Sequence, residues 1–486
     1  MYADRMLFLN RTDEIATLES RWSSGTAELL IIWGRRRVGK TELLARFVKD
    51  RRGLLFEATA GTTADHLRDF SRVLGEAAGR PLLSEQVLSS WSAALAAVEE
   101  YATERTVIAL DEFQYLVQAD SELPSLLARW WRERGRHLPL VLVLSGSEVS
   151  FFERDILGHS SPLYGRRTGQ MQLAPFTYRD AALFVPGWSA VDRIRAYAVW
   201  GGMPYYLDRI DPDRSLAENI LSTVLARDGI LREEARLLLF QELAEPRLHF
   251  SVLRSLAGGD TRVSEIANRT GADTVTVSRV LDTLLSLMLV RRIVPVTATL
   301  RGRTKRTSWE ISDPYLRFWF RFVLPFEERL QRSEDQVRHL EDAIMPKLDE
   351  FVARPIFENI AQEYARQRFD VADVGTWWGK VPTGQGRTTE TREVDVVGIR
   401  PDGSVALLGS CKWSDAPMGV AEDALLSRLE PHVGEVLSTE PPVRVFFSRS
   451  GFDGALTRLA ATDPERYVLV TAADLYEDPA LLLESL

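Results

Sequence analysis

The sequence predicts an α/β protein with a doubly wound parallel sheet at the N-terminus, a helical middle part and a second α/β domain at the C-terminus. Three observations predict it. Strands alternate with helices in the N-terminal third, as in a parallel sheet covered on both faces. From Phe250 the pattern changes to three short helices and a basic hairpin. From Pro355 it becomes helix, three strands, helix, strand, helix, strand. The 486 residues exceed one ordinary domain. We divide them into 1–185, an α/β core; 186–246, a helical lid; 247–313, a winged helix-turn-helix; 314–345, a helical connector; and 346–486, the second α/β domain.

Composition narrows the classes. A hydrophobic fraction of 45% and a charged fraction of 27% suit a globular protein with real cores. The single cysteine, Cys411, excludes a disulfide framework and a cysteine-rich zinc site, and points to a reducing cytoplasm. No apolar run approaches a membrane span, and the N-terminus lacks a signal peptide's basic start and apolar core, so no membrane partner is expected. A net charge of −9 argues against an all-over basic coat and leaves room for a local basic patch.

The first element in the argument is "ELLIIWGRRRVGKTELL". An apolar strand, Leu29 to Trp33, runs into Gly34, Arg35, Arg36, Arg37, Val38, Gly39, Lys40 and Thr41, and helix formers follow. This is the order of a phosphate-binding P-loop. Its glycines let backbone wrap the phosphates at the positive end of a helix. Lys40 is expected to reach the β/γ-phosphates of ATP, and the Thr41 hydroxyl to hold Mg²⁺. A second apolar strand, Thr106 to Leu110, ends in Asp111 and Glu112. Asp111 is expected to bind the Mg²⁺ through water, and Glu112 to act as general base on the attacking water. A third strand, "PLVLVLSGS", ends at Ser145, placed to sense the γ-phosphate.

These motifs occur in order with "FLNRTDEIATLE", "LSGSEVSFFERDILGHSSPLYGRRTGQMQLAPFTYRDA" and "YAVWGGMPYYL". Together, from Phe8 to Leu207, they resemble the archaeal-type P-loop ATPases related to the STAND branch of regulatory NTPases. The resemblance implies that Phe8 to Arg11 lie near the base. It implies that Gly202, Met203 and Pro204 form a GxP motif closing a lid over the nucleotide. It also implies that Arg166 or Arg167 is a sensor or finger arginine, for which a surface ion pair is the competing account.

In the middle part, "VSEIANRTG" and a helix from Thr274 precede a basic hairpin, the layout of a winged helix. Thr274, Thr276, Ser278 and Arg279 open the third helix with polar side chains suited to a groove. Leu281, Leu284, Leu285 and Met288 are expected to form its core stripe. Between Asp282 and Glu310 there is no acidic residue, whereas Arg291, Arg292, Arg301, Arg303, Lys305 and Arg306 all fall there. Such a wing could neutralise DNA phosphates. Docking onto protein is the competing use. The aromatic run Tyr315, Phe318, Trp319, Phe320 and Phe322 is expected to be core.

The C-terminal order is similar to the PD-(D/E)XK nuclease fold, which archaeal-type ATPases often carry. That chemistry needs two carboxylates on a metal and a lysine to orient water. Glu393 and Asp395 share one strand face, as do Ser410 and Lys412. A hairpin over Pro401 to Ser404 sets Asp395 opposite Ser410 and Glu393 opposite Lys412, with Glu358 directed to the same cluster. Asp395 is the expected metal ligand. Yet the acid expected two residues before Lys412 is Ser410. Either Glu393 or Glu358 replaces it, or Glu393 and Lys412 form a cross-strand ion pair in a domain that binds without cutting.

Three functions remain open at this stage. One is an ATP-driven switch acting on DNA through the winged helix and the nuclease-like tail. Another is a STAND-like signalling NTPase whose winged helix and tail hold protein partners. The third is an ATP-controlled, metal-dependent DNA nuclease. Assembly into a homo-oligomer is left open.

Overall fold

The computed structural model of the chain describes residues 9–80, 87–243, 245–299, 307–383, 388–434 and 440–477. The chain divides into two compact units: Met1–Pro175 with Met203–Asp208, and Phe176–Gly202 with Arg209–Leu486. The segment expected to form a lid is thereby shared, because its six residues Met203–Asp208 belong to the first unit and the rest to the second.

The first unit is a parallel sheet of β1 (Glu28–Trp33), β2 (Gly53–Glu57), β3 (Thr106–Asp111), β4 (Leu140–Gly146) and β5 (Gly169–Gln172), in the order β2-β3-β4-β1-β5. Burial explains the order. β1, β3 and β4 are buried along their whole length, whereas the edge strands β2 and β5 alternate. β4 lies between β1 and β3, so the carboxyl ends of these three strands meet at one edge.

In the second unit three helices, Arg247–Ala257, Val263–Thr270 and Thr274–Ser286, precede an antiparallel pair, β6 (Val290–Ile293) and β7 (Ser308–Ile311). Asp273 caps the third helix by accepting the N–H groups of Val275 and Thr276, both at 2.9 Å. The buried stripe of that helix is Val277, Val280, Leu281 and Leu284. Leu285, expected in the core, is instead 40% exposed, because the stripe follows the 3.6-residue period back toward Val277. A short helix, Val296–Thr299, follows β6 and was not foreseen. Val296 is buried in the core of the C-terminal sheet with Trp377, Val394 and Val397, so the segment after β6 is docked there.

The aromatic run is core, as expected. Tyr315, Phe318, Trp319, Phe320 and Phe322 are all buried, and Trp319 Nε1 donates to the Arg232 carbonyl at 2.6 Å. The C-terminal sheet contains β8 (Asp373–Pro382), β9 (Thr389–Ile399), β10 (Val405–Lys412), β11 (Val443–Ser448) and β12 (Tyr467–Thr471). Its order is β12-β11-β10-β9-β8, with β8, β9 and β10 antiparallel and β10, β11 and β12 parallel. The helix Glu358–Arg368 precedes this sheet, and the helix Ala421–Leu429 follows β10.

Candidate functional site

β1 delivers Gly34 to the carboxyl edge of the first sheet. A Cβ there would lie 2.4 Å from the Leu173 carbonyl oxygen, so only glycine admits this approach. The loop turns through Arg37 (φ 68°) and Gly39 (φ 90°) into the helix Lys40–Lys49. Lys40 is buried, and its Nζ donates to the carbonyls of Gly34 and Arg35 at 3.0 and 3.1 Å. Thr41 Oγ1 donates to Asp111 Oδ2 at 2.6 Å, joining the loop to the end of β3. Ser145 ends up beside Ile32 in register, and its hydroxyl is fully buried with no hydrogen-bond partner among the described residues.

The loop is braced from several sides. Arg11 donates to the carbonyls of Val38 and Ala174, each at 2.9 Å, which places the end of the Phe8–Arg11 motif on the loop; Phe8 itself lies outside the described residues. Arg36 donates to the Tyr115 hydroxyl at 3.3 Å, and the Arg37 guanidinium stacks 4.2 Å from the Tyr205 ring centre. Pro204 lies against Gly39, 3.9 Å from where a Cβ would be. Arg35 is buried beside them. Arg166 and Arg167 bond carbonyls of their own segment: Arg166 that of Pro162, and Arg167 that of Leu157 at 3.3 Å.

Glu112 sits in the left-handed region (φ 51°, ψ 42°), which is strained for a side chain of this kind. Its Oε2 accepts from the N–H and hydroxyl of Ser147, at 3.2 and 2.7 Å, and from Gln114 Nε2. Glu57, opposite Asp111 in register, has its carboxyl pushed up by burial and then by the charges of Asp111 and Glu112.

The second constellation lies in a cleft of about 720 Å³ on the C-terminal sheet, lined in part by Glu358, Glu393, Asp395, Ser410 and Lys412. Gly409 pairs with Val396, which brings Ser410 beside Asp395 as expected, and the Cys411 N–H donates to Asp395 Oδ2 at 2.8 Å. The expected Glu393–Lys412 ion pair is corrected. Lys412 Nζ meets Glu422 Oε1 at 3.1 Å, and Ser410 Oγ donates to Glu422 Oε2 at 3.0 Å. The first turn of the helix after β10 carries Glu422 over the strand end and reaches the lysine first. Glu393 accepts from Arg354 at 3.3 Å and from Thr376 at 3.2 Å.

Arg354 also meets Glu358 at 2.7 Å and Asp395 at 3.4 Å. Burial, followed by the charge of Asp395, raises the Glu358 carboxyl above its ordinary range, against the pull of Arg354. Burial likewise raises Asp395, opposed by the Cys411 N–H. Among the described residues no group of three or more His, Cys, Asp or Glu side chains is arranged to hold a metal ion. In the cleft as folded, the Arg354 guanidinium lies among the carboxylates, 3.4 Å from Asp395, the expected metal ligand.

Of the residues expected to read a groove, Thr276 and Ser278 turn their hydroxyls back on the helix, to Asp273 at 2.7 Å and to the Thr274 carbonyl at 2.8 Å. Arg279 and Arg292 are exposed. Arg291 is ion-paired with Glu310 across the hairpin. Arg301, Arg303, Lys305 and Arg306 lie outside the described residues.

Residues 8–210 match the family described as an ATPase domain predominantly from Archaea. That region is an ATPase domain of this family. Residues 191–310 match a domain family of unknown function, and residues 319–424 match a family of archaeal and bacterial proteins of unknown function. The chain is 25% identical over 417 residues to an uncharacterized protein of Methanocaldococcus jannaschii, covering 84% of this chain and 88% of that one. An uncharacterized ATP-binding protein of the same organism is 43% identical over 47 residues, 10% of this chain and 80% of that protein. The structure is also similar to the Walker-type ATPase PABY2304 of Pyrococcus abyssi, at a TM-score of 0.49 and 20% identity, covering 65% of this chain and 97% of that one.

In the ATPase domain, sequence reasoning missed the clamp of Ser147 and Gln114 on Glu112. The repeated serine in "SGS" was its only signal. In the cleft it missed Arg354 and Glu422. Arg354 stands four residues before Glu358, but its backbone is extended at a kink before Pro355, so no helical spacing announced the pair. Glu422 looked like an ordinary acid in a helix's first turn.

Proposed function

We propose that the protein is an ATP-driven switch that acts on DNA through a winged helix and a nuclease-like C-terminal domain. Hydrolysis of ATP belongs to the ATPase domain. The residues fit nucleotide with Mg²⁺: Thr41 and Asp111 are already joined at 2.6 Å, and the buried Ser145 hydroxyl awaits an acceptor. When bound, the ion neutralises phosphate charge, and Thr41 and Asp111 are the residues that would hold it. Lys40 leaves two backbone carbonyls to meet phosphate oxygens. Glu112 takes the proton of the attacking water once Ser147 and Gln114 release its carboxylate.

The observation carrying the DNA half is the cleft. Gly258 and Gly259, which follow the first helix of the three-helix module, line it together with Lys412 and Asp395 of the C-terminal sheet. One surface thus serves both modules, and Arg321 and Lys347 add positive charge to its wall. Fluorescence anisotropy of the full chain on labelled duplex DNA, with ATP or ADP over a range of salt, tests this reading. Binding should fall steeply with salt and differ about tenfold between the nucleotides. Absence of salt-dependent binding in both states would favour the second reading, a STAND-like NTPase whose modules hold protein. The docking of Val296 in the C-terminal core speaks for that second reading.

A further inference from the structure

We propose that Arg354 is a built-in counter-cation that keeps divalent metal out of the cleft, so that the folded domain holds nucleic acid without cutting it. The proposal rests on the nuclease-like reading of this domain. A Mg²⁺ ion needs carboxylate oxygens converging at about 2.0–2.1 Å. Here the carboxylates of Glu358, Glu393 and Asp395 converge on guanidinium nitrogens instead, at 2.7, 3.3 and 3.4 Å. The planar fork of arginine satisfies several oxygens at once, and those are the oxygens a metal would use. On the other side of Asp395, a further acid, Glu422, is taken up by its pairing with Lys412 and Ser410.

The geometry also makes this counter-cation removable. The Arg354 side chain is 63% exposed, so its ion pairs with the three carboxylates are what hold it in place. Its backbone is anchored separately, because the Arg354 carbonyl accepts from Arg317 Nη2 at 2.6 Å. A side-chain substitution therefore leaves that anchor intact. Opposite charges within about 4 Å contribute strongly where water is partly excluded, so loss of the guanidinium leaves the buried Glu358 and Asp395 in need of another cation.

The test uses the full chain without nucleotide or nucleic acid, with Mn²⁺ as the probe. Binding is read by titration calorimetry and by thermal unfolding. Arg354→Met should bind Mn²⁺ about tenfold more tightly than the parent. It should also unfold at a lower temperature than the parent and recover on adding Mn²⁺. Asp395→Asn in the Arg354→Met background should abolish the recovery. Arg354→Gln serves as a second neutral variant with a different shape. A folded neutral variant with no gain in Mn²⁺ binding overturns the proposal. So does a parent protein that already binds Mn²⁺ in a manner lost on Asp395→Asn, an outcome readable even if neither variant folds. Because no nucleic acid is present, failure here leaves the DNA-binding test of the nuclease-like reading untouched.

Discussion

The loop from Gly34 to Thr41 supplies one site from consecutive residues, whereas the C-terminal cleft draws Glu358, Asp395, Lys412 and Glu422 from a helix, two strands and a second helix. In the first, backbone geometry does the work, and Gly34 and Gly39 are fixed by close approach and positive φ. In the second, each carboxylate can choose among cations. The choice falls to whichever element packs nearest, Glu422 on Lys412 and Arg354 on Glu358, Glu393 and Asp395. A site written in a loop keeps its residues together, and one written across a sheet can be rewired by a single helix turn.

The largest expected effects lie in the ATPase domain and test the local site. Lys40→Ala should abolish binding of a fluorescent ATP analogue. Glu112→Gln should retain that binding but hydrolyse ATP about 10²–10⁴-fold more slowly in single turnover. Wild-type turnover in Glu112→Gln would remove Glu112 from the role of base.

Next in size is the wing. The double variant Arg303→Glu, Lys305→Glu should lower DNA affinity and flatten the log–log salt slope by roughly 0.9 for each phosphate that is no longer neutralised. Arg291→Ala should barely change that slope, because Arg291 is already neutralised by Glu310. Equal slopes for the double variant and the parent would assign the wing to protein docking.

A smaller effect separates the two ways of building a site. From the sequence, Ser410→Glu looks like restoration of a missing acid. In the structure Glu422 already stands 3.0 Å from the Ser410 hydroxyl, so a new carboxylate there meets a like charge. Ser410→Glu should lower stability in urea by roughly 2 kcal/mol and confer no cleavage. Cleavage in Mg²⁺ or Mn²⁺ by this variant would show that the position had lacked only its acid.

These cases show what was legible. Lys40, Thr41, Asp111 and Ser145 came from motifs whose spacing is set by one strand and one turn, and the structure gathers them at one edge. The pairing of Asp395 with Ser410 followed from strand register. The partner of Lys412 did not, because register says nothing about the helix that follows β10. The docking of Val296 was equally hidden: a short apolar stretch after β6 gives no sign of the sheet that will cover it. Leu285 failed for a simpler reason: the buried stripe is centred on Val277, Val280, Leu281 and Leu284, which leaves Leu285 on its exposed margin.

The smallest expected effect is on pH dependence and concerns the frame around the cleft. Asp349 accepts from Arg195 through both oxygens at 2.9 Å, from Arg449 at 2.6 Å and from Trp413 Nε1 at 2.9 Å, next to Lys412 in sequence. Burial pushes its carboxyl up, but the hydrogen bonds from Arg195, Trp413 and Arg449 and the arginine charge outweigh it and hold it at about 2. A folded-state value below the unfolded one means stability that is present above the usual carboxylate range and lost as pH falls from about 4 toward 2. Glu358 has the opposite sign: its raised carboxyl contributes at low pH and costs stability as pH rises above the usual carboxylate range. Because Asp349 is 36% exposed, solvent screening reduces its share to about 1 kcal/mol. Asp349→Asn should therefore be slightly less stable than the parent at neutral pH, with the two unfolding curves converging as acid is added. Urea titrations at pH 7, 5, 4 and 3 would show this, and a constant gap down to the lowest pH would mean that Asp349 acts through packing and not through its charge.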